Sequence, residues 1–245
     1  MSEIADRPGS LLKGTQLLSD SFQTFLAKLP AFLTINLVCL SPAGVLYVFM
    51  MNSATNENQI LTALLTYTGF EMFLGFIACG ATVYATVEYL AGHELTVGDA
   101  LVKGLKLLPM VLGVSIVSIL WIMGASILLI IPGIIMSLSL YVAIPIAVTE
   151  DLGIMDSLRR SRELMYGSRA ELFVAIFILF IVQAVANSGI EMATKGQGAV
   201  VVASTRIAIG VIFTTISSIM ASIAYVQLRE AVDDIDAEEL SKVFG

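Results

Sequence analysis

Two ionisable residues interrupt stretches of sequence that are otherwise almost free of charge: Glu71 and Arg206. A carboxylate or guanidinium at membrane depth is expensive unless it is paired or reaches the interface. An ion pair between these two would lock their segments together. Snorkelling of Arg206 towards Glu191 or the headgroups would satisfy it separately. Coupling to proton or ion movement is the weaker reading, because no further acidic or histidine relay accompanies them.

A second group is Arg159, Arg160 and Arg162, the densest basic cluster in the chain. Asp156 with Arg160 and Arg159 with Glu163 have the four-residue spacing of helix-surface pairs. Contact with anionic lipid headgroups, at about 1 kcal/mol per basic residue, is one reading of the cluster. Plain orientation of a membrane protein selects the same residues.

Pro132 and Gly133 form a third constellation, with Pro145 downstream. Proline and glycine here predict a helix break, with a second kink at Pro145. Freed backbone groups at membrane depth need new partners. A tight turn with a packing kink answers that need, and a broken pair lining a transport site is the alternative.

The remaining candidates carry less. Cys39 and Cys79 both fall within apolar runs and are read as small hydrophobes. His93 stands alone in a polar connector, and one histidine without a cysteine cluster does not make a zinc site. No Ser/His/Asp set, Walker loop or metalloprotease helix is present. The expectation is a non-enzymatic protein with no catalytic residue, no cofactor and no metal.

Composition explains why these charges stand out. Of 245 residues, 57% are hydrophobic and 13% charged, against roughly 25% charged in soluble domains. The mean hydropathy of +0.90 agrees. The net charge of −7 sits badly with nucleic acid, which needs a basic face. The apolar runs are long enough to cross about 30 Å of hydrocarbon at about 1.5 Å per residue.

Read in order, the spans are Pro30 to Met51, Ile60 to Ala91, Pro109 to Ile131, Ile134 to Thr149, Ala170 to Ile190 and Val200 to Leu228. Amphipathic segments precede the first, third and fifth, over Ser10 to Leu29, Gly92 to Leu108 and Asp151 to Arg169. The expected fold is an all-α integral membrane protein with six transmembrane helices and cytoplasmic amphipathic helices before spans 1, 3 and 5. Its parts are an N-terminal amphipathic segment (1–29), a six-span membrane domain (30–228) and an acidic tail (229–245). The N-terminal segment lacks the pattern of a cleavable signal peptide. The tail carries Asp233, Asp234, Asp236, Glu238 and Glu239, a pattern of a solvated end or of a short helix.

With both termini inside, 11 of the 13 basic residues fall in cytoplasmic segments, and Lys195 is the one basic residue in an outer loop. This is a positive-inside arrangement. The recurrence of surface helix, span and return span three times over reads either as a repeated hairpin or as the common grammar of multi-pass proteins.

The stretch from Ile131-Pro132-Gly133-Ile134-Ile135-Met136 through Pro145 and Glu150-Asp151-Leu152-Gly153-Ile154 to Ser157-Leu158-Arg159-Arg160-Ser161-Arg162-Glu163-Leu164 and Gly167 is distinctive. It resembles the YciC-type family of bacterial inner-membrane proteins. More distantly, it is similar to the membrane domain attached to some glycerophosphoryl diester phosphodiesterases. The resemblance implies a six-span inner-membrane protein. The phosphodiesterase barrel and its acidic and histidine positions have no counterpart here, so hydrolysis is not carried over.

Two functions follow as expectations. The first is an envelope organisation or assembly factor that binds other membrane proteins and anionic lipid. The alternative is a small-solute or lipid transporter built on the break around Pro132 and Gly133. Small residues such as Gly113, Ser118, Ser217, Ser218 and Ala221 permit close helix contact within one chain or between copies in a homo-oligomer.

Overall fold

Apolar stretches of this length satisfy their amides without water in one simple way, the α-helix. A computed structural model describes the backbone of residues 12–94, 96–197 and 199–244; the side chains at 128, 199, 200, 202, 203, 206 and 233–244 are outside the description. The helices are α1 (Gly14–Ala27), α2 (Leu29–Ser53), α3 (Glu57–Leu90), α4 (Val97–Leu128), α5 (Ile130–Ser139), α6 (Ala143–Thr149), α7 (Ile154–Leu164), α8 (Arg169–Ala193) and α9 (Ala199–Phe244). Among the described residues there is no strand.

Six segments are long and apolar enough to cross a membrane: α2, α3, Val97–Ile127 of α4, Ile130–Thr149, α8 and Ile207–Val232 of α9. This is a multi-pass, all-α membrane architecture. Large apolar side chains face outward along these helices, with Ile127 83% and Val185 67% exposed, as a hydrocarbon surround requires.

Two helix boundaries differ from expectation. The segment before the third span is not a separate helix, since α4 runs unbroken from Val97 to Leu128 with Pro109 inside it. Burial of Ala100 and Gly104 against α3 holds this lower part in line and offsets the bond lost at the proline. At the other end, the helix continues past Leu228 as one element to Phe244.

The helix breaks also lie elsewhere than at the prolines. One is at Leu129 and the other spans 140–142. Pro132 and Pro145 each occupy the third position of the helix that follows. No amide at that position has an intrahelical acceptor, so a proline there forfeits nothing. The first ladder bonds run one residue later, from Gly133 N to Leu129 O at 3.4 Å and from Ile146 N to Val142 O at 3.1 Å. The prolines restart helices; they do not make the breaks. Pro132→Ala is therefore expected to change stability by no more than about 1 kcal/mol. A melting curve in detergent showing a loss of several kcal/mol would mean that the proline sets the turn.

The short helices hold the fold's polar backbone together. Ser161 Oγ donates to the Ser139 carbonyl at 2.9 Å, satisfying an acceptor at the end of α5. Tyr141, within the second break, donates through its hydroxyl to Ser217 O at 3.1 Å. Leu158 of α7 is buried with Val114, Leu140, Ala143 and Ala147, and Ile154 occupies the space beside Gly113. Hence α7 packs into the bundle against α4 and α6. Gly167, at φ +88°, makes the turn from α7 to α8 that a side-chain-bearing residue would strain.

Candidate functional site

Glu71 lies fourteen residues into the 34-residue α3, about 21 Å from its start and near its middle. One turn earlier on the same face of α3 stands Tyr67. Tyr67 in turn leans on Tyr47 of α2, ring centroids 4.9 Å apart. Glu71 lines a cavity of about 550 Å³ between α3 and α9, together with Thr68, Ser115, Thr214, Ser217 and Ser218. In the sequence, Glu71 stands out by its charge alone. The side chain of Arg206 lies outside the described residues, so the proposed pair with Glu71 does too.

A second, larger space adjoins the first. A trough of about 890 Å³ runs between α2 and α9, lined by apolar residues from Leu33 to Phe49 and from Ile207 to Ile212, with Asn52 and Ser204 among its few polar groups. The two spaces share Asn36, Leu40 and Val211 as wall residues. Leu37, Val45 and Phe49, which line the trough, are 68–70% exposed, so it opens sideways. Gly44 lines it with nothing within 4 Å of where a Cβ would stand. Pro42, inside α2 beside the trough, removes one ladder bond from that helix.

The polar atoms in the inner cavity follow a pattern. On α9, Thr214 and Ser218 line the cavity four residues apart, and the buried Ser222 continues the row beyond it. Each hydroxyl donates to the carbonyl one turn back: to Gly210 at 2.9 Å, Thr214 at 3.0 Å and Ser218 at 2.9 Å. Asn36 spends its amide on the Phe32 carbonyl at 3.0 Å and approaches Thr82 Oγ1 at 3.4 Å. The hydrogens of Thr214, Ser218 and Asn36 are thereby consumed within the chain, and their oxygen lone pairs remain. Sequence reasoning did not assemble Asn36, Tyr67 or Thr214 with Glu71. The four-residue hydroxyl stripe on α9 was the available signal for part of it.

The basic cluster is dispersed by the fold. Arg159 Nη2 pairs with Asp156 at 3.1 Å on an exposed face. Arg160 Nε lies 3.8 Å from Glu150 Oε2, and the Arg162 guanidinium stands 5.6 Å from the centre of the Trp121 ring. Glu150 also accepts from the Tyr225 hydroxyl at 2.9 Å, to which Arg229 Nη1 donates at 3.2 Å. Each arginine of the cluster thus has a contact within the chain. On α1, Asp20 accepts from Gln227 at 3.2 Å.

No protein-family model, curated protein or solved structure matches the chain. The joint between α4 and α5 at Leu129 is close-packed, and Gly133 on α5 stands against α4, where a Cβ would overlap Ser126. Neither proline nor Gly133 lines either of the two spaces. Cys39 and Cys79 are both free thiols, Cys39 buried and Cys79 partly so, with Ser218 Oγ 3.8 Å from the Cys79 sulfur. His93 pairs with Glu88 at 2.6 Å near the end of α3. Among the described residues no group of three or more His, Cys, Asp and Glu side chains converges on a metal position.

Proposed function

We propose that this chain is a lipid-handling protein of the bacterial inner membrane, non-enzymatic, which takes a membrane amphiphile sideways into the cleft between α2, α3 and α9. The observation that carries this reading is the joining of an apolar trough, open to the hydrocarbon, to a cavity bearing a carboxylate at mid-helix depth. The distribution of lysine and arginine supports a cytoplasmic side for both termini. The likeness to the YciC-type family rests on the stretch around Pro132 to Gly167 and agrees with this location.

The reading moves the lipid-handling alternative away from the Pro132 break. It also ranks above an assembly factor recruited through anionic lipid. In that account Arg159, Arg160 and Arg162 would offer their charge to headgroups, whereas Arg160 and Arg162 are engaged with Glu150 and Trp121. Arg159 remains exposed enough for a headgroup contact, a secondary one here.

The test is a plug. Ala208 is exposed in the wall of the trough, so a tryptophan there has room without disturbing the core. Ala208→Trp should lower the lipid that stays bound through purification by about tenfold, equivalent to about 1.4 kcal/mol. Native mass spectrometry reads this directly. Equal retention by the two proteins would refute binding in the trough.

A further inference from the structure

Lipid tails are as apolar as the leucines that line the trough, so burying a tail there gains little over leaving it in the bilayer. Selection of one lipid from another must come from polar contacts. The adjoining cavity supplies those, and their character is one-sided. Glu71 contributes a carboxylate, while Thr214, Ser218 and Asn36 have already given their hydrogens to backbone carbonyls. An occupant meets the Glu71 carboxylate and the oxygen lone pairs of these three side chains, with the hydroxyls of Thr68 and Ser115 beside them. Such a surface disfavours a headgroup of net negative charge and rewards a cation that brings N–H donors.

The lining also separates kinds of cation. Quaternary ammonium groups, which have no N–H, are recognised by cages of aromatic faces. Phe76 is the single aromatic side chain among the residues lining this cavity. A primary ammonium, with three donors for three acceptors, fits the oxygen-rich wall. At membrane depth the pairing also serves both partners, since a carboxylate and an ammonium away from bulk water are each costly alone.

We propose that Glu71 is the counter-charge of a binding site for a primary ammonium group borne on an amphiphile, the ammonium in the cavity and the hydrocarbon in the trough through the shared wall at Asn36, Leu40 and Val211. This rests on the lipid-handling reading and names its ligand class. The same ammonium chemistry is available from an aminophospholipid headgroup or from a small free amine.

The full-length chain in mild detergent is offered phosphatidylethanolamine, phosphatidylcholine and phosphatidylglycerol of identical tails, and binding is counted by native mass spectrometry. Phosphatidylethanolamine should bind about tenfold better than either of the others. In Glu71→Gln that preference should vanish while total lipid occupancy stays. A second measurement needs no variant: modification of Glu71 by a hydrophobic carbodiimide should be slowed by phosphatidylethanolamine and not by phosphatidylcholine. Ethylammonium at millimolar concentration separates the sources. If it protects Glu71 where phosphatidylethanolamine does not, the ammonium site stands and its lipid origin is overturned. Equal binding of all three lipids with no protection overturns the ammonium site and leaves the trough standing. Absence of any bound lipid in the native chain overturns the lipid-handling reading itself.

Discussion

Replacing Gly104 by leucine is expected to destabilise the membrane domain strongly. A Cβ at Gly104 would stand 2.8 Å from the Ala81 Cβ and the Ile77 carbonyl and 2.9 Å from the Ala81 amide. Two of those three neighbours are backbone atoms of α3, which cannot swing aside as a side chain end does. Gly80 faces back from α3, with a position for its Cβ 3.7 Å from the Gly104 Cα. In a membrane this is how helices attract each other, through close approach at small residues. Overpacking by three further carbons should cost about 3 kcal/mol or more. The measurement is thermal unfolding in detergent, paired with Gly98→Leu, one to two turns earlier on α4, where nothing lies within 4 Å. The control should melt with the native chain and Gly104→Leu far below it. If both melt alike, α3 and α4 do not touch at this point.

The second large effect concerns Tyr225. Its side chain is 1% exposed and belongs to the main core with Phe32, Ile146 and Leu172. Its hydroxyl lies between the Glu150 carboxylate and the Arg229 guanidinium. Tyr225→Ala should cost about 3 to 5 kcal/mol through the cavity it leaves. Tyr225→Phe keeps the ring and removes the hydroxyl, so it should cost about 1.5 to 3 kcal/mol through the lost bond to a charged acceptor. If the bond carries that difference, Tyr225→Phe combined with Glu150→Gln will fall well short of the summed single losses. Additive losses would place the whole effect of Tyr225 in packing.

Much of the fold was legible because the hydrocarbon core imposes a length and bars charge. The six apolar runs met both conditions, and the helices α2, α3 and α8 begin and end within a few residues of the expected limits. What escaped was decided by contact between helices. Pro109 reads locally as a helix start, yet α4 passes through it, because Gly104 and Ala100 are held by α3. Pro132 and Pro145 read as breaks, and each proved to be the harmless third residue of a new helix. In the site, Glu71 announces itself as a charge in an apolar run. Asn36 and Ser217 are ordinary polar residues until tertiary structure gathers them at the cavity, whereas Tyr67 stands one turn from Glu71 by helix spacing alone. The arginine cluster shows the reverse, since three basic residues close in sequence take three different partners, Asp156, Glu150 and the Trp121 ring.

The broken fourth span has a consequence for how the chain is made. With ten and seven residues, α5 and α6 reach about 15 and 10 Å, so neither half crosses a bilayer alone. The carbonyl of Ser139 and the hydroxyl of Tyr141, at the joint between them, find their partners in Ser161 and Ser217. Both partners are synthesised later, one of them some seventy residues downstream. A nascent chain paused after α6 therefore holds a half-finished hairpin with open polar groups inside the lipid, to be closed only as α7 and α9 arrive. Insertion of this protein is then a matter of order as well as hydrophobicity, and a chain stopped between α6 and α9 would present the quality-control machinery with a recognisable defect.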